Sequence, residues 1–276
     1  MQLHRQLFFG MTALVFLTGL VTPPASADTD TETTVVRPRV GVFEFFNPTE
    51  YQNRLLGKRA SAAVFNEMSG LDNLRLAGFT EVLEACRQMD IQPPFAAGYQ
   101  QAVGHRVGAE LLLSGVVERC SINPNSGAVS VDVRITIIDQ VTGQPLLSFV
   151  ARGRGRKHET APVATDVLAD EALVDAAREI AAAFENMPAI QTVVREVNED
   201  KIVLDTADVS LPAEARILIY RGTGADSDRP KLVGVAITAK SEAEVATAQL
   251  LGSANQIYTG DIAVAMEPAL TTDTSQ

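Results

Sequence analysis

The chain has no tryptophan, only two cysteines and only three histidines in 276 residues. Two cysteines cannot knit a disulfide miniprotein, and a chain of this length can bury a core without such staples. With 19 glycines, 13 prolines, 46% hydrophobic and 21% charged residues, collagenous and disordered classes are excluded too. There is no Lys/Arg-rich tail, and 34 acidic side chains outnumber 23 basic ones, a formal net charge of −11. A surface of that sign repels phosphate backbones and anionic lipid, so no nucleic-acid partner is expected.

Motifs of the common enzymes are missing as well. The sequence holds no Gly-x-Ser-x-Gly elbow, no Ser-x-x-Lys, no His-Glu-x-x-His, no Cys-x-x-Cys and no Walker loop. His105 and His158 each lack a cysteine or second histidine at ligand spacing and read as solvated or capping imidazoles. The carboxylates fall at helix starts, as Asp170 and Glu171, or in turns, as Glu199, Asp200, Asp226 and Asp228, where the helix dipole and turn chemistry account for them. No catalytic residue, metal or cofactor is expected, and the protein does not read as an enzyme.

What is present begins with a leader. Met1 to Gln6 carries Arg5, Leu7 to Val21 is apolar and uncharged, and Ala25 and Ala27 are small residues placed as a signal peptidase reads them. The pattern predicts a signal peptide over residues 1–27, since about 20 apolar residues are needed to span a bilayer and this stretch offers fewer. No later segment could span, so no integral membrane segment is expected after cleavage. Losing Arg5 takes the net charge from −11 to −12. A lipid anchor would require a cysteine where Asp28 stands, so a periplasmic or secreted location without a lipobox cysteine is expected. In that oxidising compartment Cys86 and Cys120 could pair across 33 intervening residues, worth ~3 kcal/mol in the chain-entropy model, or remain two buried thiols.

Behind a polar leader, residues 28–35, the run Arg39 to Phe46 reads as a buried strand. Leu56, Ala60, Val64 and Met68 form the stripe of an amphipathic helix over Glu50 to Ser69, capped by Asn47 or Thr49. Leu74 to Leu83 reads as a strand, Glu84 to Met89 as a short helix, and Ala96 to Val107 as a helix closed by Gly108. Ala109 to Val117 is apolar enough for a strand covered on both faces, Val129 to Ile137 alternates strictly, and Pro145 to Arg154 returns as its hairpin partner. A last helix follows Thr165. After Asn186-Met187-Pro188 only short strands remain, the signature of a small barrel over 188–267 before a disordered tail, 268–276.

One cluster opposes the overall charge: Arg152, Arg154, Arg156 and Lys157, four bases in six residues at the end of the hairpin. It could hold a phosphate, an anionic glycan or an acidic partner, or it could be a solvated strand end guarded by charge.

Three segments carry a family likeness: Arg39-Val-Gly-Val-Phe-Glu-Phe-Phe46, Val107-Gly-Ala-Glu-Leu-Leu-Leu-Ser-Gly-Val116, and Val131-Asp-Val-Arg-Ile-Thr-Ile-Ile-Asp139 with Thr142-Gly-Gln-Pro-Leu146. They resemble the α/β domain shared by the curli secretion protein CsgG, the TolB amino-terminal domain, the penicillin-binding-protein activator LpoB and the middle domain of flagellar assembly protein T. Val193 to Leu204, Ala215 to Arg221, Leu232 to Ile237 and Tyr258-Thr-Gly-Asp-Ile262 resemble the SH3-like barrel of that flagellar protein. The resemblance implies an α+β fold, an αβ sandwich with a mixed sheet over 36–187 followed by an SH3-like β-barrel over 188–267. It also implies a non-enzymatic assembly or interaction protein of the cell envelope, with envelope protein partners and possible homo-oligomers, rather than a curli-type channel, which would need long amphipathic hairpins. The alternative is a small-ligand receptor or enzyme with a pocket between the two parts.

Overall fold

The structure, a computed structural model, describes residues 36–156, 164–185, 189–207, 210–222, 230–242, 244–252 and 256–266. The leader, the tail, Lys157, His158, Asp226 and Asp228 lie outside the described residues.

Strands β1 (Arg39–Val42), β2 (Arg75–Leu76), β3 (Leu111–Ile122), β4 (Val129–Asp139) and β5 (Pro145–Gly155) form a sheet in the order β2-β1-β3-β4-β5. β1 runs parallel to both neighbours while β3, β4 and β5 pair antiparallel, so the sheet is mixed. Helices α1 (Arg54–Met68) and α4 (Thr165–Glu185) cover one face, and α2 (Phe79–Gln88) and α3 (Ala97–Val107) cover part of the other. The apolar run in β3 shows why: Leu111 and Leu113 enter the core under α1 and α4, while Leu112 enters the smaller core with Val82 and Val103. A strand buried on both faces needs no alternation.

The remaining strands, β6 (Ala189–Asn198), β7 (Lys201–Asp205), β8 (Arg216–Arg221), β9 (Lys231–Ser241), β10 (Val245–Leu250) and β11 (Ile262–Met266), close an antiparallel barrel in the order β10-β7-β6-β11-β8-β9. The α+β architecture, mixed sheet then small barrel, is the one expected. Ile217 and Ile219 of β8 point into the barrel core, whereas Leu218 and Tyr220 point out into the core under α1 and α4. The barrel therefore shares apolar packing with the sheet. Polar contacts fix the junction: Glu110 Oε2 accepts from the Arg39 amide at 2.8 Å and from the Tyr220 hydroxyl at 3.3 Å, and the Val36 amide donates to Gln191 Oε1 at 3.0 Å.

Several local expectations are corrected. The segment expected as a strand from Leu74 to Leu83 yields only β2, because Phe79, Val82, Ala85 and Cys86 recur at helical spacing after Gly78. α1 starts at Arg54, four residues later than expected, with Asn53 at its N-cap. Asn47 instead builds the preceding loop, accepting from Thr49 N and Oγ1 and donating to the Tyr51 and Asn53 carbonyls. β1 ends at Val42, yet the chain stays extended, the Phe43 and Phe46 amides bonding to Leu113 and Gly115. Gly108 does close α3, at φ 64°.

Candidate functional site

β5 is an edge strand, and its Gly-Arg alternation has two separate causes. Gly153 and Gly155 lie under α4 so closely that a Cβ would fall 1.8 Å from the Ala172 carbonyl oxygen or 1.9 Å from that of Leu168. The glycines thus seat a helix and form no nucleotide loop. Alternating with them, the outward amides of Arg152 and Arg154 donate to Glu179 Oε2 (2.7 Å) and Asp175 Oδ2 (3.0 Å), so α4 also caps this part of the open edge.

The arginine side chains point the other way, onto the face opposite α4, at the end of β4 and β5 away from the Leu112 and Ile138 positions that α2 and α3 cover. That face is polar and mostly self-paired. Arg134 bonds Glu118 at 2.6 Å, Arg119 pairs with Asp132 at 2.8 Å, and Ser121 bonds Ser130 at 2.8 Å. Arg152 stands opposite Asp132 and Arg154 opposite Ser130. Asp132 is already taken by Arg119, and Glu179 and Asp175 are taken by backbone. Among the described residues no group bonds the exposed guanidiniums of Arg152, Arg154 and Arg156. Three positive charges thus stand exposed and close together on an otherwise acidic protein.

The motif Asp139-x-x-Thr142-Gly143 is structural. Asp139, fully buried, accepts from the Thr142 amide at 2.5 Å and from its hydroxyl, holding the β4–β5 turn in which Gly143 has φ 69°. The Gly260-Asp261 turn behaves likewise: Asp261 accepts from the Tyr258 amide (2.8 Å) and takes Arg221 bidentately (3.1 and 3.2 Å), while Arg221 stacks over the Tyr258 ring at 4.3 Å.

The cysteines do not pair. Both are free, Cys86 in the core beneath α2 and Cys120 against the core on the opposite face, so the sheet separates them. Burial pushes the Cys86 thiol up to about 11, with the nearby Glu44 charge adding to it, and burial raises Cys120 as well. His105 is exposed at the end of α3. Among the described residues no group of three or more His, Cys, Asp or Glu converges on a metal position, and no helix is long and apolar enough to cross a membrane.

A second feature was not legible beforehand. A cavity of about 570 Å³ opens between α1 and α2, and none of its lining residues belongs to the barrel, where the alternative reading would set a pocket against the first part. At one end Glu44, 5% exposed, takes Arg54 bidentately (2.5 and 3.2 Å), and Arg54 also donates to Gln92 at 3.0 Å. Nearby, Asp166 accepts from Tyr51 (2.9 Å) and Gln52 (2.7 Å), and Arg59 pairs with Asp170, tying α4 to α1. Burial and then Asp166 push the Tyr51 phenol up to about 12. Asp170 thus joins helices in addition to sitting near a helix start. The partners in these pairs come from separate elements, so no local motif announces them.

No family model matches the chain, and no curated protein matches it in sequence. Among solved structures it is similar to the hypothetical protein CT253 from Chlamydia trachomatis, with 14% identity and a TM-score of 0.38 over 54% of this chain and 96% of that one. Lipoprotein GNA1162 from Neisseria meningitidis gives 18% identity and 0.35 over 48% and 90%. The LpoB C-terminal domain from Salmonella enterica gives 14% and 0.31 over 46% and 87%.

Proposed function

We propose that this is a non-enzymatic interaction protein of the cell envelope, exported by the signal over residues 1–27, that captures an acidic envelope protein through the arginine face of β5. The observation that carries the reading is the set of three exposed guanidiniums, Arg152, Arg154 and Arg156, without a partner among the described residues of a chain whose net charge is −11. The likeness of Arg39–Phe46, Val107–Val116 and Val131–Leu146 to envelope assembly domains supports it, as does the likeness of the barrel segments to flagellar assembly protein T. In this organisation the α/β part over 36–187 presents the arginine face and the barrel over 188–267 buttresses the far end of the sheet. Lys157, next to the cluster in sequence, lies outside the described residues.

The test is in-cell crosslinking of the tagged full chain, comparing the parent with a variant carrying Arg152→Ser, Arg154→Ser and Arg156→Ser. The expected result is one dominant acidic partner whose recovery falls roughly tenfold in the variant, at equal protein level, as befits loss of charge-assisted contacts. Equal recovery by both proteins overturns the arginine-face reading.

A further inference from the structure

The cavity between α1 and α2 is independent of the arginine face, and its walls specify a ligand. Phe79, Leu83, Ile91 and Phe95 converge on it, each large, apolar and only half-buried. Phe79 rests on Phe65 and Phe95 on Phe43, with ring centroids 5.3 Å apart in both pairs, so both walls are held in place. Its volume of about 570 Å³ lies within the roughly 300–1,000 Å³ of small-molecule sites.

The lining carries four bases, Arg54, Lys58, Arg59 and Arg87, against two acids, Glu44 and Asp90. Glu44 is matched by Arg54, Arg59 by Asp170, and Arg87 by Glu84 at 2.5 Å. Lys58, exposed on α1, and Asp90, exposed just past α2, have no bonded side-chain partner among the described residues. The cavity thus offers a set of apolar side chains together with an available ammonium in one lining.

We infer that this cavity binds a small soluble amphiphilic anion, a molecule with an apolar body and one carboxylate or sulfonate head. The body lies among Phe79, Leu83, Ile91 and Phe95 and the head pairs with Lys58. Cys86 lines the cavity as a small apolar surface, its thiol protonated at neutral pH.

The test is a fluorescence titration of the full chain with 1-anilinonaphthalene-8-sulfonate at low salt, with decanoate and decylamine as competitors. The expected result is saturable binding of one dye per chain, reversed by decanoate and far less by decylamine. Lys58→Glu, at an exposed position, weakens binding roughly tenfold by replacing an attractive charge with a repulsive one. Ala62→Phe, on the cavity wall, blocks it, and circular dichroism shows both variants folded. The triple arginine variant binds like the parent, which separates this site from the β5 face. The inference is overturned by the absence of saturable dye binding, by parent-like binding in both Lys58→Glu and Ala62→Phe, or by equal competition from decylamine. Binding to anionic lipid vesicles without competition by free decanoate overturns it too.

Discussion

Two groups of arginines meet opposite fates in this molecule. Arg54 and Arg59 on α1 are each tied down, Arg54 by Glu44 and Gln92, Arg59 by Gln52, Asp170 and the Asp166 carbonyl. Arg152 and Arg154 on β5 bond acids only through their amides, Arg156 follows just past the strand, and Glu179 and Asp175 serve the strand edge. The difference lies in where the matching acid comes from. An arginine isolated in sequence can find an acid on another element, whereas three in alternation on one strand face need three acids on one neighbouring surface, and β4 supplies only Asp132, already engaged.

The sharpest way to test the division of labour along β5 is at its glycines. Gly153→Val should cost at least ~3 kcal/mol or prevent folding, because its Cβ would fall 1.8 Å from the Ala172 carbonyl and α4 must move. A urea midpoint unchanged from the parent would mean that α4 does not lie on β5 in this way. Arg54→Met comes next. It leaves the Glu44 carboxylate buried without its guanidinium, and since Arg54 is itself half-exposed the expected loss is about 2 kcal/mol. Adding Glu44→Gln should restore part of that loss, and an additive double variant would show that the two side chains do not interact.

Glu110 extends the comparison to a half-buried acid with no close ion pair. Burial raises its proton affinity, only partly offset by the Arg39 amide, the Arg75 charge and the Tyr220 hydroxyl. The folded state holds this proton more tightly than the unfolded chain, so its contribution is full below the ordinary value of 4.5 and is lost as pH rises through the folded value. Glu110→Gln keeps an acceptor for Arg39 and Tyr220 and removes the titration. Its Tm should fall less than the parent's between mildly acidic and neutral pH. Parallel profiles would place Glu110 in water rather than in the junction.

Much of this architecture was legible in the residues. Strict alternation in Val129–Ile137 and the stripe Leu56, Ala60, Val64, Met68 each report one buried face, and both elements form where that pattern places them. The closed barrel followed from short strands at turn-separated spacing. Leu74–Leu83 misled because a short apolar run fits both periods until the Gly78 N-cap decides it. The arginine cluster was visible as composition, but the role of its glycines was not, since the helix they seat follows later in the chain. The α1–α2 cavity was invisible for a related reason. Glu44, Lys58, Cys86 and Phe95 belong to separate segments and meet only in the packed chain.

The smallest effect expected is the most discriminating. Replacing Arg152, Arg154 and Arg156 together by serine should move the urea midpoint by no more than the equivalent of ~0.5 kcal/mol, because the described contacts of the first two are made by their amides, which serine retains. Serine also keeps both edge caps to Glu179 and Asp175. A solvated strand end and a binding surface predict the same silence in stability, so the distinction comes from salt. If the face captures an acidic partner, the parent's capture must weaken steeply with ionic strength while the serine variant's residual capture stays nearly flat. Two equally steep salt profiles would assign the electrostatic contribution to some other surface and leave these arginines as edge guards alone.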